Sequence, residues 1–486
     1  MDPANYVLAR QFAGVLFFLD LLLYLPYANV CLGAGYWGGG HKHVLRVVAP
    51  IWAAASIALV LGVYPLIAAG VLWLVFRHYY VANRWNNAFR GGGAPGFMSH
   101  WVAMYLVLFE LARVLDTSGG LVHWVRLMSN VDFGVILLCS GTYKALSGYL
   151  RGEGMEYGLA NPFWGYWFGW FKRRRPSHLG FRLQNIWAPI AQISTGVCLL
   201  LGASTTWFPE IRWAGAVLCI LSFGYLLPTV RLGRLAVLMM VPALWFLPEL
   251  GVALPEPLAR SLPASVVPDV VITILVGTII AYIAVLPVLK VMQYLNLFAK
   301  IELPGPLQKG LTWYANKVPI IMWRVFTPDV TNFFVRIHRV DRATGAKTPL
   351  VHEDTTYSYR DLRQWRRSLR YLHVTESIAL TTVFTTLKYF RSQRALFEER
   401  LRAYAPTLGE PGALLEFEYV AILKGEETFE FLPVTRFTID LVSNEITEDR
   451  LVPEFEYDAP AKYSHIKETA GYGTYAPRDP ASAAAR

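Results

Sequence analysis

Long apolar runs fill most of the chain before residue 300, and short polar or Gly/Pro segments separate them. Most of these runs are close to the roughly 17–25 residues that a helix needs to cross a bilayer. Because lipid admits only helices and closed barrels as spanning structures, the pattern predicts about nine transmembrane helices. Their expected cores are residues 9–27, 46–62, 64–79, 98–115, 129–148, 184–203, 212–229, 232–249 and 270–292.

After residue 300 the pattern changes to shorter and more polar periods. Residues 333–351 alternate apolar and polar positions on both sides of a Thr-Gly turn, which predicts a β-hairpin. Two further alternating stretches, 413–423 and 428–442, predict strands, and residues 375–404 have helical spacing. Residues 302–323 are amphipathic, which is typical of a segment lying on a membrane surface.

The expected fold class is therefore mostly α: a polytopic transmembrane helical bundle followed by a small α+β extramembrane domain. The expected domains are a transmembrane helical domain (1–300), an interfacial amphipathic segment (301–323), a small α+β domain (324–455) and a polar tail (456–486). The tail is rich in Ala and polar residues and is expected to be disordered by itself.

Composition agrees with a membrane location and narrows the classes of function. The 486 residues are 54% hydrophobic and only 16% charged, whereas soluble domains carry about 25% charged residues. The four cysteines are scattered without the spacing of a zinc site or a disulfide framework, so we expect no metal. The net charge of +10 is explained by basic loops on one membrane face, and we expect no nucleic-acid partner.

The distribution of basic residues predicts an orientation. If the nine spans alternate, fifteen Lys and Arg residues lie at one face and five at the other. By the positive-inside rule, the richer face and the α+β domain with it are cytoplasmic. The smaller set is Arg10, Arg113, Arg126, Arg212 and Arg260.

One loop between predicted spans is unusually aromatic. Residues 161–175 (NPFWGYWFGWFKRRR) end in four cations. This pattern favours an interfacial belt, with rings at headgroup depth and charges beyond them. An aromatic wall of a ligand site is the alternative.

Ionisable residues inside the spans are the first candidates for function, since each costs roughly 2.5–3.5 kcal/mol at a helix centre. Glu110 and Arg113 are three residues apart on one helix and are expected to form a structural ion pair. Asp20 and Asp132 are expected near span ends. Lys144 lies in an apolar segment, and such surroundings favour a neutral amine, which can act as a general base. The alternative is that Lys144 extends to the interface.

Three short motifs resemble a known family. Residues 141–146 (GTYKAL) with Gly152 resemble the "AGxxKL…W…G" signature of the vitamin K-dependent γ-glutamyl carboxylases. They equally resemble the broader bacterial family with a "horizontally transferred" transmembrane domain (HTTM). Residues 85–87 (WNN) resemble the carboxylase sequence Trp-Asn-Asn-His. Residues 323–326 (WRVF), followed by the predicted hairpin, resemble the start of the carboxylase extramembrane domain.

The resemblance implies a chemistry and a place. Lys144 would be the base that deprotonates a reduced quinone, either vitamin K-like or a menaquinol. Asn87 would share in catalysis, and in the carboxylases the product with O2 removes a proton from a glutamate side chain before carboxylation. The bacterial branch of the family implies the bacterial inner membrane. The further residues that the resemblance places at the quinone are Trp85, Asn86, His100 and Tyr143, with His100 standing in for the family histidine that Ala88 replaces.

Two functions follow as alternatives. The first is a quinone-linked membrane enzyme that uses Lys144 for proton abstraction and carboxylation. The second is a non-catalytic structural or accessory subunit, which would assemble with other membrane-protein subunits into a larger complex.

Overall fold

A computed structural model describes most of the chain. The described residues are 3–28, 30, 42–82, 93–115, 120–204, 209–231, 233–248, 255–256, 258–261, 263, 269–298, 301, 303–317, 332–351, 379–381, 383–384, 387, 394–408 and 410–453.

Helices form the larger part of the described chain. They are α1 (Pro3–Tyr24), α2 (Lys42–Leu61), α3 (Pro65–Phe76), α4 (Gly93–Leu115), α5 (Gly120–Ser147), α6 (Met155–Leu159), α7 (Phe168–Phe171), α8 (Leu179–Ser204), α9 (Pro209–Thr229), α10 (Gly233–Phe246), α11 (Asp269–Phe298), α12 (Gly305–Lys317) and α13 (Arg394–Tyr404). The α12 helix lies within the predicted interfacial segment.

Five of the described helices are long and apolar enough to cross a membrane: α1, α4, α5, α8 and α9. Shorter apolar helical stretches occur in α2, α10 and α11, and α3 has only 12 residues. The structure thus agrees with a multi-pass membrane protein, but the predicted count of about nine spans is not confirmed.

The helices α5 and α8 pack backbone against backbone. A Cβ atom added to Gly196 would lie 2.7 Å from the Gly134 carbonyl oxygen, and one added to Gly141 would lie 2.8 Å from the Ile193 nitrogen. Small residues allow this close approach of apolar helices. The contact continues along both helices, and α9 then packs on α8 and α10 on α9.

The C-terminal part contains one antiparallel sheet of five strands in the order β2-β1-β3-β4-β5. Its strands are β1 (Phe333–Val340), β2 (Lys347–Val351), β3 (Leu414–Lys424), β4 (Phe429–Asp440) and β5 (Ile446–Arg450). The predicted hairpin is β1–β2, whose turn contains Gly345 with φ of 69°. Both predicted later strands are present as β3 and β4. Residues 394–404 of the predicted helix 375–404 are helical as α13.

Three described elements were not expected from the sequence: β5, α6 and α7. β5 follows β4 after a tight turn and pairs with it from Thr435 to Ile439. Its residues are mostly exposed, so it lacks the apolar alternation by which strands are recognised. α6 and α7 have only five and four residues, too few to show a helical period.

The sheet lies against the end of the bundle where α5 ends and α8 begins. Asn161 donates a hydrogen bond to the Phe333 carbonyl oxygen at 3.1 Å, and Phe181 contacts Phe429 edge to face. At the opposite end of α5, Glu110 binds Arg10 and Arg113, two residues of the smaller basic set. The described residues therefore place the sheet at the end away from that set.

Candidate functional site

Lys144 lies in the last turn of α5 and is 5% exposed. Its Nζ donates a hydrogen bond to Oε1 of Gln192 on α8 at 2.9 Å. The close approach at Gly141 one turn earlier brings Gln192 within reach. No carboxylate pairs with Lys144 among the residues that the structure describes.

A cavity of about 60 Å³ adjoins the Lys144 side chain. Side chains of α5, α8, α9, α10 and the segment after α5 form its walls, which are almost entirely apolar. Two of the lining side chains, Trp187 of α8 and Tyr225 of α9, are 45% and 42% exposed. The cavity therefore reaches the outer surface of the bundle between α8 and α9.

Two polar atoms on the cavity wall have no hydrogen-bond partner within the described part of the chain. They are Oγ of Ser222 on α9 and Oε1 of Gln184 on α8. Buried polar atoms are nearly always hydrogen-bonded, so these two, together with Lys144, are the groups that a ligand head would contact. Apolar walls with a few convergent polar groups are typical of small-molecule sites.

One wall of the cavity is the segment 148–156, which runs from the end of α5 into the first turn of α6. Tyr149 and Met155 of this segment line the cavity. The Met155 backbone N–H donates to Oδ1 of Asn185 on α8 at 2.7 Å, and the neighbouring Glu156 carboxylate is completely buried. This wall is thus fixed to the helix that carries Gln192.

Two of the other predicted site residues, His100 and Tyr143, are described, and they lie outside this cavity. His100 on α4 is 1% exposed and lies 6.2 Å from Trp73 between ring centroids, but neither His100 nor Tyr143 lines the cavity. Neither ring nitrogen of His100 has a hydrogen-bond partner among the described residues. Trp85, Asn86 and Asn87, like the motif at 323–326, lie outside the described residues, so their predicted place beside Lys144 stays a prediction.

The other four ionisable candidates from the sequence, Glu110, Arg113, Asp132 and Asp20, have structural partners. The predicted pair of Glu110 and Arg113 is confirmed at 3.4 Å, and Arg10 and the Tyr6 hydroxyl bind the same carboxylate oxygen at 3.1 and 2.7 Å. Arg10 also binds Glu256. These contacts tie α1 and α4 together and connect both with residue 256.

Asp132 is the exception to the sequence-based prediction. It lies in the middle of α5 rather than at an end, so the expectation of a helix-terminal group is wrong. Its Oδ2 accepts hydrogen bonds from Trp101 and Tyr105 of α4 at 2.8 and 2.9 Å and from Tyr282 of α11 at 2.9 Å. Neutral donors satisfy this oxygen. Asp20, one residue before the last turn of α1, accepts a hydrogen bond from the Ser99 hydroxyl at 3.2 Å.

The aromatic segment 161–175 lies outside the Lys144 cavity, since none of its residues lines it. Trp167 and Trp170 are about half exposed, whereas Phe163, Phe168 and Phe171 are buried. The aromatic wall that the alternative prediction offered is therefore not part of this cavity.

Comparisons of the chain with family models, with curated proteins and with solved structures gave no match.

Proposed function

We propose that the chain is a multi-pass membrane protein that binds a reduced quinone at the Lys144 cavity, with Lys144 as the proton acceptor. One observation carries this proposal: a buried lysine lines an apolar cavity and has a neutral amide as its partner. The resemblance to the carboxylase and HTTM families supplies the ligand class. The cavity reaches the lipid-facing surface at Trp187 and Tyr225, which is the side from which a lipid-soluble quinone would enter.

The proposed chemistry depends on the protonation state of the Lys144 amine. An apolar surrounding favours an uncharged amine over an ammonium ion, and the Gln192 carbonyl does not offer the negative charge that would offset this. A neutral amine within reach of an acidic hydroxyl is a general base. A bound quinol would supply that hydroxyl and the electrons, and O2 would accept the electrons, as in the resembled carboxylases.

The other polar groups would hold the ligand head. Gln192 orients the Lys144 amine through their hydrogen bond. Ser222 and Gln184 offer a hydroxyl and a carbonyl oxygen to the polar atoms of a quinol. The apolar walls exclude water, which preserves a reactive base.

The proposal includes a location. The excess of basic residues in one set of loops supports a cytoplasmic sheet domain, and the bacterial branch of the resembled family supports the bacterial inner membrane. The contacts of the sheet with the bundle support the same side for the sheet and the basic loop 161–175.

The test is turnover of a quinol by the protein in liposomes. The purified chain is reconstituted with menadiol, and oxygen consumption is measured for wild type, Lys144→Met and Lys172→Met. Loss of a general base lowers the rate by about 10²–10⁴-fold, so we expect that loss for Lys144→Met. Lys172 lies in the aromatic segment outside the cavity, and its variant should match wild type. Undiminished turnover by Lys144→Met would remove Lys144 from the chemistry.

A second candidate function is a non-catalytic subunit of a larger membrane complex. The observation that favours it is the structural use of the other buried ionisable groups: Glu110 and Asp132 both tie helices together. Extraction in a mild detergent tests this candidate. A stoichiometric protein partner, retained equally by wild type and Lys144→Met, would support it, whereas an isolated active protein would not.

A further inference from the structure

The wall segment of the cavity is held from two directions. On the bundle side, Asn185 accepts from the Met155 N–H at 2.7 Å and donates to Oε2 of Glu156 at 2.8 Å. The Gly154 N–H donates to the same oxygen at 2.9 Å. These bonds leave the other carboxylate oxygen of Glu156 for a group outside the bundle.

That group comes from the sheet domain. Nζ of Lys424, the last residue of β3, donates to Oε1 of Glu156 at 3.0 Å and to the Gly152 carbonyl oxygen at 2.9 Å. Its two acceptors lie on either side of Met155, whose side chain lines the cavity. Among the described residues, Lys424 is therefore the one cation paired with Glu156. Its two hydrogen bonds bridge Gly152 and Glu156, the residues that flank Met155 in the cavity wall.

We propose that Lys424 is a positioning residue for the Lys144 cavity: through Glu156 and Gly152, the sheet domain holds Met155 in the cavity wall. The inference rests on the proposed function only in treating this cavity as the ligand site. The sheet thereby adds a second attachment to a wall segment that Asn185 already ties to α8.

The energetics predict that losing Lys424 moves the cavity wall locally rather than loosening the whole protein. A buried carboxylate that loses its cation is strongly destabilised, whereas replacing both partners by apolar residues is often nearly neutral. Without Lys424, Glu156 gains by turning towards water, and this movement would carry Met155 out of the wall. The ion pair Arg175–Glu427 also joins the bundle side and the sheet, but both side chains are about two-thirds exposed, so it contributes little and is a matched control.

The experiment measures access to the wall. Met155→Cys protein in liposomes is treated with N-ethylmaleimide, and peptide mass spectrometry gives the labelling rate at position 155 and at Cys219. Cys219 is a buried residue of α9 that does not line the cavity, so it reports general loosening. The rates are compared after adding Lys424→Met, Lys424→Arg, Arg175→Gln, or Lys424→Met together with Glu156→Met.

We expect Lys424→Met to raise the rate at position 155 about tenfold and to leave Cys219 unchanged. Lys424→Arg should retain most of the protection, because it keeps the charge. The double variant should return to within about twofold of its parent, and Arg175→Gln should have no effect. Equal rates at position 155 with and without Lys424 would overturn the proposal, and so would a parallel rise at Cys219.

Labelling in the presence of menadiol tests the quinone proposal independently of the role of Lys424. Menadiol is added before labelling of the parent and of the Lys424→Met variant. Protection of position 155 in the parent, weakened in the variant, supports both proposals. Absence of protection in the parent contradicts quinol binding at this cavity, while the labelling pattern without menadiol still decides the role of Lys424.

Discussion

Two buried basic side chains at opposite ends of the bundle have very different partners. Arg10 is 1% exposed and binds the carboxylates of Glu110 and Glu256. Lys144 is 5% exposed and binds only the amide oxygen of Gln192 among the described residues. Carboxylates compensate the charge of Arg10, whereas no described carboxylate pairs with Lys144.

The difference indicates a structural role for Arg10 and agrees with the chemical role proposed for Lys144. Arginine keeps its charge under all ordinary conditions, so its burial requires carboxylates, and these link α1, α4 and residue 256. Lysine can lose its proton when buried, so it needs no carboxylate. A lysine arranged in this way adds little to the stability of the helices, and its presence points instead to the cavity beside it.

The largest expected loss of stability comes from replacing Arg10. Arg10→Met leaves Glu110 and Glu256 with less compensation, and breaking a buried pair costs about 3–5 kcal/mol. Arg113→Met is the matched control, because Arg113 binds the same Glu110 oxygen but is 38% exposed, and it should cost less than about 1 kcal/mol. Thermal unfolding in detergent measures both. Similar losses for the two variants would contradict the structural role given to Arg10.

An intermediate effect on the free energy of unfolding is expected in the sheet. There the buried carboxylate of Glu416 contacts partly exposed basic side chains. Burial of Glu416 opposes ionisation. The His338 ring at 3.5 Å, the hydrogen bonds and charge of Lys347 and the charge of Arg436 outweigh it and lower the Glu416 pKa to about 2. A depressed pKa stabilises the folded state above the unfolded pKa of about 4.5, and this contribution is lost as pH falls towards 2.

The measurement compares Glu416→Gln with wild type by calorimetry of the full chain between pH 6 and pH 2. We expect wild type to be more stable by about 1–2 kcal/mol at pH 6, and the difference should shrink steadily below pH 4.5. A difference that stays constant over this range would mean that the ionised carboxylate does not stabilise the sheet.

The smallest expected change in stability comes from replacing Lys144. Lys144→Met leaves the buried Gln192 oxygen without its donor, which costs about 1–3 kcal/mol. It also removes the cost of holding an amine in an apolar wall, so the net free energy of unfolding should change by less than about 1 kcal/mol. The same unfolding assay that reports the Arg10→Met loss checks this. A loss as large as that of Arg10→Met would make Lys144 a structural residue and would remove the contrast between the two ends.

Most of the fold could be predicted because its signals are local. The apolar runs at 98–115 and 184–203 coincide with the membrane-length helices α4 and α8, and the alternating run 413–423 coincides with β3. Boundaries and short elements were less predictable. β5 is an exposed edge strand whose place is set by its pairing with β4 rather than by its own residues.

The candidate site was predictable in part. Lys144 was detected because a cation within an apolar run is unusual. Gln192 and Ser222 carry the same kind of signal, as polar residues within apolar helices, but nothing in the sequence connects them with Lys144. Glu156 and Lys424 are 268 residues apart, and no period or motif relates them.

The sequence by itself determined the apolar helices, the antiparallel hairpin and the position of one costly amine, because each follows from neighbouring residues and their cost of transfer into lipid. Only the tertiary structure decided what that amine faces: a glutamine from α8, a cavity with a side opening, and a wall held by a lysine from the sheet. These contacts depend on how closely α5 and α8 approach and on where the sheet docks. Such distances are set by the packing of many residues at once.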